Sequence, residues 1–280
     1  MRIGVNTFNV KNLFPDDFQG TLKKLKDIGF TSLEVCVTFQ EDNQNLKDLP
    51  EETLELIQLM RGGIWSKEEA EERFPLVRAA GLEIDSIHAG LDCSSPEALL
   101  KNLPLLESFA EKNHIKYIVT GFPKNLEELK VLAPVLNQMA EALQKKGVVF
   151  AYHNHAEECK KTDGVSIIEY LLDNCPCLMA EPDVGWMHYA GMSPVSFMEK
   201  YAKRIVLLHL KDVRFIADEN NRKPIFTAAG AGCVPMEEVL KLTDKCNLAA
   251  NGLIIDQDDS QGDILMDLAY GVEFVSRYKN

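Results

Sequence analysis

Histidines and carboxylates recur at the ends of short apolar runs along this 280-residue chain. Five of the six histidines fall there: His88 closes Glu83 to His88, His153 and His155 close the run that starts at Val148, His188 follows Leu178 to Asp183, and His209 follows Ile205 to Leu208. Only His114 lies elsewhere. Imidazole is the commonest metal ligand and titrates nearest neutrality, so gathering it at strand ends predicts a single polar site at one end of a sheet.

The later runs add carboxylates: Glu157 and Glu158 after His155, Glu181 with Asp183, and Asp256 with Asp258. Carboxylate and imidazole donors together suit Mn, Zn, Fe or Mg. A lone His or Asp at a strand end is more often a satisfied hydrogen-bonding residue. Four consecutive strands that all end this way predict a metal site.

Short β-rich runs alternate with longer amphipathic stretches from end to end, the pattern of parallel strands joined by crossover helices. Strands are predicted at 3–5, 32–37, 83–88, 116–120, 148–153, 178–183, 205–210 and 252–255. Helices are predicted at 18–28, 52–60, 68–80, 96–113, 126–146, 166–174, 194–202, 236–246 and 264–278. Ser66 with Glu69 reads as a capping box, Gly29 and Gly81 as helix stops and Pro104 as a kink. Residues 213–235 read as the longest irregular stretch. Eight strand-helix units in 280 residues match an α/β fold of the (β/α)8 TIM-barrel type, a single domain over 1–280. A doubly wound open sheet is the alternative, but it would concentrate its chemistry at one switch point rather than at many strand ends.

The formal charge of 30 minus 43, or −13, opposes an electrostatic grip on nucleic acid. No window approaches a membrane span, and the first residues carry no apolar signal stretch, so a cytoplasmic protein is expected. Seven cysteines without a CxxC pair predict reduced thiols, with Cys93 and Cys159 nearest to strand ends. P-loop, GxSxG and Rossmann GxGxxG motifs are absent.

His153-Asn154-His155, Glu181-Pro182-Asp183-Val184-Gly185-Trp186, Leu208-His209-Leu210-Lys211-Asp212, Gly230-Ala231-Gly232 and Ile255-Asp256-Gln257-Asp258 together resemble the xylose-isomerase-like sugar phosphate isomerase/epimerase superfamily. Tyr152 to His155 is closest to the subgroup whose fifth strand reads Tyr-His-Asn-His. The resemblance implies a barrel with one divalent cation, most often Mn, with Zn, Mg, Fe or Co as alternatives, acting on a sugar, keto-sugar or cyclitol. A homo-oligomer is compatible with it. The family holds its metal with Glu, Asp, His and Glu from strands five to eight. Asp183 and His209 match two of these. His153 occupies the strand-five Glu position, Asp256 is one methylene shorter than the strand-eight Glu, and Glu158 matches the acidic residue that follows Tyr-His-Asn-His. The implied ligands are therefore Glu158, Asp183, His209 and Asp256.

Those departures argue against a symmetric two-glutamate epimerisation and for one base acting next to a metal-polarised carbonyl. His153, His155, Asp256 and Lys211 are the candidates for that chemistry, which covers isomerisation, dehydration and elimination or hydrolysis of a keto-glycoside. Lys211 shares a strand face with His209 and can hold a substrate oxygen, or else forms a surface pair with Asp212. His88 can donate to a substrate hydroxyl or pack in the mouth. Glu34, a carboxylate within an apolar run, needs a partner, either an ion pair or the substrate. Trp186 can stack on a sugar ring or pack behind Asp183. Gly230-Ala231-Gly232 can form an amide nest for an anion or a plain turn. Two other functions stay open: a non-catalytic, degenerate sugar- or partner-binding barrel, and an apurinic-endonuclease-like enzyme. The latter needs three zinc ions and a basic surface that this charge opposes.

Overall fold

Side chains along an extended strand alternate between two faces, and in a closed sheet one of those faces must line the interior. The computed structural model places eight parallel strands in one closed path: β1 (Gly4–Asn6), β2 (Ser32–Thr38), β3 (Ser86–Gly90), β4 (Tyr117–Thr120), β5 (Val149–His153), β6 (Met179–Glu181), β7 (Leu208–Leu210) and β8 (Leu253–Ile255). Ladders join β7 to β8, β8 to β1, and onward in order to β6. Bridges from Ala180 to Ile205 and from Asp183 to His209 close β6 onto β7. The described residues are 2–40, 60, 62–122, 125–162, 164–216 and 223–278. The predicted helix at 52–60 lies outside them except for Met60.

The alternation divides the apolar residues into two groups. A small cluster contains Val119, Ala151, Leu207 and Ile254, packed with Tyr117, Val149 and Met179. The large cluster joins the other strand face to the surrounding helices. The small cluster fills the barrel interior, and the same parity continues up the strands: Ala151 to His153, Met179 to Glu181 and Asp183, Leu207 to His209 and Lys211, and Ile254 to Asp256. On β1, β2 and β3 it runs through Asn6, Glu34 and His88. Apolar residues thus plug the barrel, and the polar ones stand directly above them at the C-terminal mouth.

Helices hold the strands in register from outside, among them α5 (Leu126–Lys145), α6 (Ala156–Cys159) and α7 (Ile167–Asn174). Helix α1 (Phe18–Ile28) stops at Gly29, whose φ is 114°. Helix α2 (Lys67–Ala79) begins with the predicted box, in which Glu69 N–H donates to Ser66 Oγ at 3.1 Å and Ser66 N–H donates to the Glu69 carboxylate at 2.9 Å. The predicted 96–113 helix is two pieces, α3 (Pro96–Lys101) and α4 (Leu103–Asn113). Pro104 opens the second piece rather than bending a continuous one, because proline's fixed φ and missing N–H suit a first turn. The 213–235 stretch is not irregular throughout: Asp212–Ile216 pairs antiparallel with Lys223–Thr227 as a hairpin. Asp212 anchors it. Its buried carboxylate accepts N–H bonds from Val213, Gly230, Gly232 and Val234 at 2.9 to 3.0 Å.

At the opposite, N-terminal end, Asn251 donates to Glu83 at 2.8 Å and to Asp85 at 2.6 Å. Arg2 pairs with that Glu83 at 2.7 Å, and Lys116 with Asp85 at 2.9 Å. Each carboxylate there has a cation and an amide. Among the described residues no helix is long and apolar enough to cross a membrane.

Candidate metal centre

Because β5 to β8 neighbour one another with the same parity, their mouth residues converge on one imidazole. His209 Nδ1 lies 3.0 Å from Asp256 Oδ2 and 3.9 Å from Asp183 Oδ2. Its Nε2 lies 2.6 Å from Glu34 Oε2 and 3.3 Å from Glu181 Oε2. The His153 ring stands 4.6 Å from the His209 ring, with its Nδ1 3.3 Å from Glu181 Oε2. Lys211 Nζ reaches Asp256 at 2.9 Å and Asp183 at 3.3 Å and donates to both oxygens of Asp258. All of these groups except Asp258 are buried.

Asp183 is placed by local structure as well as by its strand. Its Oδ1 accepts the Trp186 N–H at 2.8 Å and caps α8 (Val184–Tyr189), while Asn154 clamps its backbone N–H and carbonyl. Gly185 in that helix must be glycine, since a Cβ there would lie 2.7 Å from the Lys211 carbonyl oxygen.

Charge in this dry setting is redistributed. Burial works against a charged His209, but Glu181, Glu34 and Asp256 outweigh it and hold the imidazole well above its ordinary range. Burial likewise opposes the Lys211 ammonium, and Asp183, Asp256 and Asp258 more than reverse it. Asp256 is held well below the carboxylate range, Lys211 and His209 overcoming its burial. Glu34, also buried, is brought down to about 2 by His209. Glu181 goes the other way, well up, because burial and the Glu34 charge act together. Burial also raises Asp183. His153 is pushed well down by burial and by the His209 charge, and His88 to about 4, mainly by burial. Both are neutral imidazoles near neutral pH.

This arrangement leaves polar atoms without hydrogen bonds, some of them with only an ion-pair neighbour at 3.3 Å. Glu34 Oε1, both Glu181 oxygens, Asp183 Oδ2, Asp256 Oδ1, Glu158 Oε1 and His153 Nδ1 are buried with no hydrogen bond among the described residues. Such atoms are costly in a protein interior and rare in native structures. Two groups have donor atoms all within 4.8 Å of one another: His153, Asp183 and His209; and Glu34, Glu181 and His209. Converging lone pairs from carboxylate and imidazole are what a divalent cation requires, so the residues present fit one.

The sequence-predicted residues are distributed unevenly over this centre. A cavity of about 220 Å³ opens on it, and its wall includes His88, His153, His155, His209, Lys211 and Asp256. Asp183 lies just beneath. Glu158 is buried beside His155, whose backbone N–H donates to it at 3.0 Å, and belongs to neither tight donor group. Glu34 bonds His209 and Asn6 instead of facing the cavity. Trp186 is not in the wall either. Its ring packs 5.4 Å from Phe226 with the Lys211 ammonium 5.1 Å from its centre. The Lys211–Asp212 surface pair does not form, because adjacent residues point to opposite faces: Lys211 turns inward, and Asp212 fills the Gly230–Gly232 amide nest. Reading histidine-bearing strand ends overlooked Asn6 and the closeness of Glu181. The signal for both was strand parity, Asn6 pairing in register with Glu34 and Glu181 preceding Asp183 by two.

The family profile for the xylose isomerase-like TIM barrel matches residues 22–256. An inosose dehydratase of Clostridium beijerinckii is 31% identical over 135 residues, covering 44% of this chain and 45% of that protein. The chain therefore spans about half the length of the curated relatives it matches. A sugar phosphate isomerase/epimerase from Parabacteroides distasonis superposes with a TM-score of 0.71 at 20% identity, covering 98% of this chain and 96% of that one. The IOLI protein, whose structure carries a zinc atom, superposes with a TM-score of 0.68 at 12% identity, covering 99% of each chain. At these identities the two likenesses speak for the fold.

Proposed function

This chain belongs to the xylose isomerase-like TIM barrel family, and from that membership we propose that it is a divalent-metal-dependent enzyme acting on a sugar, keto-sugar or cyclitol. It removes a proton next to the substrate carbonyl, then either expels water from the neighbouring carbon or returns the proton elsewhere. The observation that carries this reading is the convergence of unpartnered, buried carboxylate and imidazole atoms at the mouth of the barrel. Similarity to a protein named inosose dehydratase favours dehydration of a cyclitol ketone.

Asp183, His209 and Asp256 would hold the cation, Mn first among the candidates, with His153 or Glu158 completing the set. Bound there, it supplies Lewis-acid polarisation of the substrate carbonyl. The chain's own groups do the rest. Lys211, kept protonated by three carboxylates, donates to a substrate oxygen and does not serve as base. Neutral His88 exchanges a hydrogen bond with a hydroxyl. His155, half-exposed above His153 with ring centres 5.0 Å apart, is the imidazole with open access to a substrate carbon and takes the proton. The cavity, about 220 Å³, is of a size to hold a small polyol.

Proton NMR in D2O with a panel of keto-sugars, ketoinositols and 3-keto-glycosides tests this. Deuterium entering substrate carbon, or an elimination product, is expected, with loss of turnover on chelation and in His155→Asn. Metal-independent turnover, or turnover with neither exchange nor elimination, would exclude the reading.

A further inference from the structure

Two carboxylate pairs compete for His209. Asp183 and Asp256 face Nδ1, and Glu34 and Glu181 face Nε2. A cation binds only the ring nitrogen that gives up its proton, so the chemistry depends on which nitrogen keeps one. The surroundings decide this through a chain of bonds that starts on a donor of fixed polarity. The backbone N–H of Phe8 donates to Asn6 Oδ1 at 2.8 Å, and a backbone amide cannot accept in return. The Cys36 thiol donates to the same oxygen at 3.3 Å. With Oδ1 thus committed, the amide cannot be flipped, and Nδ2 is the end that faces Glu34 Oε2, at 2.9 Å. That oxygen accepts from Asn6, and the same oxygen lies 2.6 Å from His209 Nε2. An amide donor on a carboxylate favours the carboxylate as acceptor, and an acceptor at Nε2 favours a proton there. Asn6, Glu34 and His209 are all buried.

We propose that Asn6 and Glu34 are positioning residues that lock the proton of His209 on Nε2, leaving Nδ1 as the nitrogen that faces the cation beside Asp183 and Asp256. The relay selects between the two tight donor groups: the cation sits with Asp183, and Glu34 stays behind the imidazole as its hydrogen-bond acceptor. This deepens the metal-dependent reading and rests on it.

The test is long-range proton–nitrogen NMR on ¹⁵N-histidine-labelled protein, with His209 assigned by the loss of its signals in His209→Asn. Loaded with ¹¹³Cd²⁺, the protein should show cadmium coupled to His209 Nδ1 and a proton retained on Nε2. Coupling to Nε2 would overturn the proposal. If neither cadmium nor Mn²⁺ binds, the metal-dependent reading fails, but the metal-free protein still judges the relay once it is titrated to a pH at which His209 keeps a single proton: that proton on Nε2 supports the relay, and on Nδ1 refutes it. As a second arm, Glu34→Gln should weaken Zn²⁺ binding ~10- to 100-fold by calorimetry, as loss of such an outer partner does. The thermal midpoint of the metal-free variant should fall, since the Glu34 charge that the fold favours beside His209 is lost, so affinity is measured at a temperature where the variant is folded. Unchanged Zn²⁺ affinity in Glu34→Gln would place Glu34 outside the relay.

Discussion

The two ends of this barrel both carry carboxylates and treat them in opposite ways. At the N-terminal end Glu83 and Asp85 share Asn251 and each has its own cation, Arg2 or Lys116. At the C-terminal end Glu34, Glu181, Asp183 and Asp256 are more deeply buried, and each has an oxygen without a hydrogen bond. A satisfied network stabilises the fold, whereas an unsatisfied one persists only if the rest of the fold over-determines it. The contrast marks the C-terminal end as the candidate site on a barrel where both faces are polar.

The sharpest way to break the comparison is at Asp183. Asp183→Asn keeps the oxygen that caps α8 but removes the charge at the mouth. Activity should fall at least ~1,000-fold, about 4 kcal/mol of barrier, while the thermal midpoint of the metal-free protein stays level or rises. Loss of stability without loss of activity would make the mouth a structural network like the other end.

A second, smaller effect is in pH. His88 is partly buried, and its pKa lies at about 4 in the fold, against 6.5 when free. Between those values the unfolded chain binds more protons, so stability rises with pH through this window and is lost as pH falls from about 6.5 toward about 4. The His88 share is about 3 kcal/mol at the acid limit. His153, also pushed down, titrates in the same sense. Denaturant unfolding of the EDTA-treated protein should show this slope, and His88→Gln should make it shallower. An unchanged slope in the variant would mean that His88 is accessible to solvent.

The smallest effect is expected at the other end. Asn251→Ala should cost about 1 kcal/mol, the loss of two hydrogen bonds whose carboxylates keep Arg2 and Lys116 as partners, and a few degrees of thermal midpoint. The kcat/KM of the folded variant should match the parent. A drop in kcat/KM larger than the loss of folded protein would deny the division between the ends.

Much of this was legible in the chain. Eight strand-helix units, the Ser66–Glu69 box and the Gly29 stop are local patterns with local physical causes, and the structure contains them all. The candidate site was legible where chemistry and strand ends coincide, at His88, His153, His209, Lys211 and Asp256, which line one cavity. It was not legible where long-range pairing decides. Glu34 meets His209 across 175 residues, and Asn6 meets Glu34 only because β1 lies beside β2. Asp212 sits next to Lys211 yet serves the opposite face, a distinction that depends on strand parity at a position where the hairpin was read as loop. Phe215 and Phe226, which pack over α8, come from that same hairpin.

The central claim is that the unpartnered donors at the mouth hold one divalent cation, and metal content tests it most directly. Protein purified without chelator and reconstituted with Mn²⁺, then desalted and measured by inductively coupled plasma mass spectrometry, should carry about one equivalent per chain, falling to near zero in Asp183→Asn. No bound metal, or metal retained in full by Asp183→Asn, would contradict the account, and about three equivalents of zinc would point instead to the nuclease-like branch of the superfamily.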